Sequence, residues 1–100
     1  MKQFMILHVG FEMPTPEIME KWNQWFADTK DCTIDMGGFM GGRELTKDAA
    51  NDLAANDLAW DVNCLTGYSV IEAQSMEAAE AIAATNPFIT AIRIYEIRKG

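Results

Sequence analysis

An α+β fold is predicted by three observations. Two helix signatures, each opening on a capping hydroxyl, are set between runs of β-branched and aromatic residues. The first such run, Lys2–Val9, is apolar on both of its faces. The stretch Gly67–Phe88, GYSVIEAQSMEAAEAIAATNPF, then fits a strand, a helix cap, an alanine-rich helix and an Asn-Pro stop into 22 residues.

Lys2–Val9 reads as a strand, with Phe4, Ile6 and His8 on one face and Met5, Leu7 and Val9 on the other. Two apolar faces place it centrally in the sheet and cover it on both sides, since a strand with one wet face alternates more cleanly. Gly10–Pro14 punctuates the chain.

Thr15-Pro16-Glu17 is a helix start: a capping hydroxyl, proline at the first helical position, then an acid at the positive end of the dipole. This helix is expected to run to about Thr29. Ile18, Trp22, Trp25, Phe26 and Thr29 form one stripe, with Glu20, Lys21, Gln24 and Asp28 opposite. Trp22 and Trp25 are the large anchors, each costing roughly 3–5 kcal/mol to truncate where fully buried.

The segment Gly37-Gly38-Phe39-Met40-Gly41-Gly42 matches neither dinucleotide-binding nor P-loop spacing, and no helix start follows it. Its glycines are read as serving turns, bulges or close backbone approach, with a strand or bent hairpin arm over about Phe39–Thr46. Lys47–Leu58 is left between a short helix and an ordered excursion, and Trp60–Leu65 is a possible short strand. Tyr68–Ala73 is a strand. Ser75 to about Thr85 is a capped helix that must stop before Pro87, and Thr90–Ile97 is the last strand. This order, β-α-β, excursion, β-α-β, implies a ferredoxin-like sandwich with a four-stranded antiparallel sheet and two helices on one face, in a single domain of residues 1–100.

Composition bounds the function. Fifteen acidic residues against eight basic ones leave a net charge of −7, with no basic face to neutralise a phosphate backbone, so no nucleic-acid partner is expected. Phe4–Val9 is too short to span a bilayer and no small-residue cleavage site follows it, so no membrane partner is expected and the protein is read as soluble and cytoplasmic. Cys32 and Cys64 form no C-x-x-C pair; with no secretory signal two thiols are favoured over a disulfide between them. With His8 the only histidine to join them, no metal site and no cofactor are expected.

The ordered combination of MKQFMILHV, TPEIMEKWNQWF, GGFMGG, GYSVIEAQSMEAAEAIAATNPF and IRIYEI resembles the YCII-related family of dimeric α/β-barrel proteins, with Asp48–Asn63 poorly matched. The resemblance implies a homodimer in which two four-stranded sheets pack face to face. Such a partner is also what exposed Phe4, Ile6 and Val70 would require if helices covered only the other face. Some members of that family carry a histidine early in the first helix and an aspartate before the proline closing the second. Here the first helix holds no histidine and Asn86 precedes Pro87, so that pair is missing. The Asp-Gly-Pro-Phe motif of another branch is missing too.

Five residues remain as candidates. His8, able to titrate near neutral pH, is either a catalytic acid or base facing an enclosed cavity or a group at the sheet edge near Gly10. Tyr68 and Glu72 share a face with Val70 and join a ligand-binding set if that face is also His8's. Arg93 suits a ligand carboxylate or a cross-strand pair with Glu72. Asn86 caps the second helix, or takes the position of the family aspartate at a ligand. The leading expectation is a homodimer that binds a small molecule. The alternatives are a small-substrate enzyme using His8 and a structural module that docks through its acidic surface.

Overall fold

The computed structural model describes residues 1–99. Six strands and two helices follow in the order β1 (Lys2–Val9), α1 (Pro16–Asp28), β2 (Thr33–Gly38), β3 (Arg43–Lys47), β4 (Leu53–Asp57), β5 (Leu65–Ala73), α2 (Met76–Ala83) and β6 (Ala91–Glu96). β2, β5, β1 and β6 form a four-stranded antiparallel sheet in that spatial order, so β1 is central as its two apolar faces require. With both helices packed on one face, the architecture is a ferredoxin-like α+β sandwich, the protomer fold of dimeric α/β barrels.

Both helix starts form as their sequences dictate. Thr15 Oγ1 accepts from the Ile18 amide at 3.2 Å and Ser75 Oγ from the Ala78 amide at 3.2 Å, each satisfying one otherwise unpaired first-turn donor. At the far end of α1 the Thr29 hydroxyl donates to the Trp25 carbonyl at 2.8 Å. The cap of α2 falls on Ala84. Asn86 lies two residues further on, its backbone N–H donating to the Ala83 carbonyl at 3.2 Å, and its backbone is not left-handed. The cap expected from Asn86 is thus supplied by an ordinary helical residue.

The core lies between the sheet and the helices. Phe4 and Ile6 of β1, Ile71 and Ala73 of β5, Trp25 of α1, and Ala79 and Ala83 of α2 are buried together. Trp25 locks one helix to the other, because its indole Nε1 donates to the Ile82 carbonyl at 3.1 Å and to Thr85 Oγ1 at 2.9 Å. Alanines at 79 and 83 let α2 approach the sheet closely. Phe4 and Ile6 therefore face the helices, which corrects their expected placement on a partner-seeking face. The opposite, uncovered face carries Met5, Leu7 and Val70, all half-buried.

The poorly matched middle segment is a hairpin. β3 and β4 pair in register from Arg43 with Asp57 to Lys47 with Leu53, and every residue of both strands is exposed. The Asp48 carboxylate accepts from the amides of Ala50 and Asp52, and Asn51 adopts the left-handed conformation at φ 65°, which closes the turn. The projection of this arm explains a radius of gyration of 15.6 Å, against about 13 Å for a compact domain of this length. The strand expected over Trp60–Leu65 is instead a loop, and β5 begins at Leu65.

Candidate functional site

The C-terminal end of β1 points His8 into the space beneath α1. Its ring meets Trp22 edge-on at a centroid distance of 5.0 Å and Trp25 at 6.2 Å. Trp22 in turn stacks on Phe26 at 5.8 Å, so the histidine sits against an aromatic wall built by one stripe of α1. His8 is 8% exposed, and its Nδ1 is buried without a protein partner. Burial lowers its pKa from 6.5 to about 4, so the imidazole is neutral at physiological pH. A neutral imidazole offers one donor and one acceptor.

Beside His8 opens a cavity of about 200 Å³. Phe11, Glu12 and Pro14 of the β1–α1 connection, Trp22, and Phe88 and Ile89 of the α2–β6 connection complete its wall. Gly10 makes the turn at its edge with φ 116°, where a Cβ would stand 2.6 Å from Thr90 Oγ1. Glycine is required there by conformation and by space. The Gly10 amide donates to the Cys64 carbonyl at 2.7 Å and the Phe11 amide to the Asp61 carbonyl at 2.9 Å, anchoring the rim to the 60–64 loop. The only charged side chain in the wall is Glu12.

Two more buried polar side chains lie in this helix-covered layer without a partner. Ser69 Oγ is on β5 opposite Ile6, and both polar atoms of the Asn86 amide are unpaired at 5% exposure. An unpaired buried group costs about 1–3 kcal/mol; of these three residues only His8 lines the cavity, and Ser69 and Asn86 lie outside its wall. Ser69 is a residue that sequence reasoning missed. Its signal was available, since a serine alternating with Gly67, Ile71 and Ala73 on the core face of a strand is a polar group in an apolar row.

The remaining candidates stand elsewhere. Tyr68 and Glu72 alternate with the core residues of β5 and face the uncovered side of the sheet, away from His8, so the three do not form one set. Tyr68 donates its hydroxyl to Asp35 Oδ2 at 2.9 Å and stacks on Phe39 at 5.8 Å. That bond to Asp35 pushes the phenol pKa up and keeps it protonated. Arg93 stands opposite Leu7 on β1, and β1 separates it from β5, so the cross-strand pair expected with Glu72 does not form. Among the described residues Arg93 has no ion-pair partner.

A larger concavity of about 440 Å³ lies at the root of the hairpin, lined mainly by Phe39, Leu58, Trp60 and Leu65. It holds none of the sequence-predicted residues and no unpaired buried polar atom, so the His8 cavity is the better candidate. Among the described residues no three His, Cys, Asp or Glu side chains converge as metal ligands would, and no helix is long and apolar enough to cross a membrane.

No protein-family model matches the chain, and no curated protein matches it in sequence. Among solved structures it is similar to 5-chloro-2-hydroxyhydroquinone dehydrochlorinase (TftG) from Burkholderia phenoliruptrix in complex with 2,5-dihydroxybenzoquinone. The two superpose with a TM-score of 0.55 at 12% identity, over 98% of this chain and 95% of that one. At that identity the likeness is one of fold, and it extends over the whole ferredoxin-like α+β chain.

Proposed function

We propose that the protein is a cytoplasmic homodimer of the YCII-related type that binds a small, uncharged, ring-bearing molecule in the cavity beside His8. The observation that carries this reading is a neutral imidazole, nine-tenths buried, with an unpaired nitrogen at the edge of an aromatic-walled cavity. An apolar cavity of about 150 Å³ holds a benzene ring, so 200 Å³ accommodates one ring with small substituents. A ring hydroxyl or carbonyl gives the imidazole its missing partner. No cation lines the wall, and Glu12 with the net charge of −7 disfavours anions. The fold likeness to a protein solved with 2,5-dihydroxybenzoquinone supports the same ligand size.

Titrating phenol and hydroquinone while following the His8 imidazole by nitrogen NMR tests this reading. Saturable shifts of the His8 signals with both compounds, and none with benzoate, are expected. A folded protein whose His8 signals ignore all three compounds refutes it. The enzymatic reading rests on the same imidazole, with His8 as acid or base. A pKa near 4 makes it a weak base at neutral pH, and no side chain orients its ring through a hydrogen bond. Binding is therefore preferred; turnover of a bound ring compound that disappears in His8→Gln would reverse the order.

A further inference from the structure

The His8 cavity and the concavity at the root of the hairpin share a wall. Phe11 lines the first and Trp60 the second, and their rings meet at a centroid distance of 5.6 Å. The sheet divides between them in the same way. Val9 borders the His8 cavity, its cross-strand partner Leu65 borders the concavity, and Thr66, next in the chain, borders the cavity again. The backbone bonds from Gly10 to Cys64 and from Phe11 to Asp61 fix this arrangement, because Asp61 and Cys64 belong to the wall of the concavity.

The two hollows differ in chemistry. The unpaired buried nitrogen of His8 lies at one end, whereas the other end offers Phe39, Leu58, Trp60 and Leu65, all exposed. Large apolar side chains gathered around one concavity, rather than scattered singly, mark a surface that something covers. Among the described residues neither wall holds a lysine or arginine, and Glu12 and Asp61 place one carboxylate in each, so a fatty-acid-like anion is disfavoured. Size points the same way. The His8 cavity, about 200 Å³, falls short of the roughly 300–1,000 Å³ of ordinary small-molecule sites, and the adjoining 440 Å³ brings it into that range.

We infer that the two hollows are one site, and that its ligand is an uncharged ring hydroxyl compound bearing an apolar tail. The ring lies beside His8 and the tail crosses the exposed Phe11–Trp60 pair into the hairpin-root concavity. The inference rests on the ring-binding reading above and adds the tail. It also gives the β3–β4 arm a use. Gly42 and Leu58, where the arm leaves and rejoins the domain, are joined by the Leu58 N–H donating to the Gly42 carbonyl at 2.9 Å, and both line the concavity.

Calorimetric titration of the full chain with phenol, 4-propylphenol and 4-hexylphenol tests it, with NMR of the His8 imidazole and the Trp60 indole N–H alongside. Each added methylene is expected to tighten binding about two- to fourfold. Both ring signals should shift with 4-hexylphenol, and only that of His8 with phenol. Leu58→Asp, at a position 50% exposed, is expected to reduce the gain from phenol to 4-hexylphenol about tenfold or more. If that variant does not fold, the Trp60 signal of the wild type decides. Phenol binding with 4-hexylphenol no tighter, with Trp60 unmoved, or with the full gain kept in Leu58→Asp overturns the tail and leaves the ring reading standing. A shift of Trp60 without one of His8 overturns the joined site, and a protein that binds none of the three compounds overturns the ring reading and the tail together.

Discussion

Acidification from about pH 7 is expected to remove a definite part of the fold's stability through His8. In the unfolded chain the imidazole binds a proton near pH 6.5, whereas the folded protein resists protonation until about pH 4. Between those values the unfolded state holds a proton that the folded state does not, so falling pH favours unfolding. The stability associated with the neutral ring is complete above about pH 6.5 and declines toward pH 4. The ceiling on the loss is the 2.5-unit interval between 6.5 and 4 at 1.36 kcal/mol per unit, about 3 kcal/mol, of which roughly 2 is gone by pH 5. Fifteen acidic side chains also titrate on this path, so the comparison must be internal. Urea unfolding of wild type and His8→Gln, followed by circular dichroism at several pH values, isolates the term. Any constant cost of the substitution drops out, and the stability difference between the two proteins should shift against wild type as pH falls. A difference that stays level from about pH 7 to pH 4.5 would refute the buried, neutral imidazole and with it the proposed recognition of ligand.

Two substitutions test the frame that holds the site. Trp25→Phe keeps most of the ring but removes the indole donor shared by the Ile82 carbonyl and Thr85 Oγ1, and should cost about 1–3 kcal/mol in denaturant unfolding. A cost near zero would show that the link between helices is dispensable. Gly67→Ala would set a Cβ 2.8 Å from the Gly37 carbonyl oxygen, a backbone atom that cannot step aside without parting β2 from β5. About 1–3 kcal/mol is expected, with faster amide exchange in β2, and unchanged exchange there would contradict the close approach.

How far the sequence discloses these features depends on the length scale of the physics behind them. Helix starts are local, so Thr15-Pro16-Glu17 and Ser75 announced α1 and α2, and both hydroxyls accept the first-turn amides they were expected to accept. Strand parity is also local: Tyr68, Val70 and Glu72 could be assigned to one face without a structure. Which face the helices cover is not local, and that is why Phe4 and Ile6 were expected on the wrong side. Both faces of β1 are apolar, so hydrophobicity could not break the tie. The cross-strand pair of Arg93 with Glu72 failed for a related reason, since alternation within each strand says nothing about β1 lying between them. The β3–β4 hairpin was the least legible element. Its strands bury nothing in the chain, so their sequence carries no periodic apolar signal, and their alanines and asparagines suit several structures.

The same alternation separates the two faces of β1. A side-chain period of two sends His8 under the helices and its neighbour Leu7 to the open face, so one strand lines the cavity and the uncovered sheet face with different residues. This explains why the candidate residues do not gather into a single catalytic cluster. His8, Ser69 and Asn86 are buried with unpaired polar atoms, which are costly, and His8 alone of the three lines the cavity. Arg93, Asp35 and Tyr68 belong to the uncovered face, where their polar atoms meet solvent. The carboxylates of β2 and β5, Asp35 and Glu72, share the opposite face of the sheet from His8, Asp35 bonded there to Tyr68, so neither reaches the imidazole.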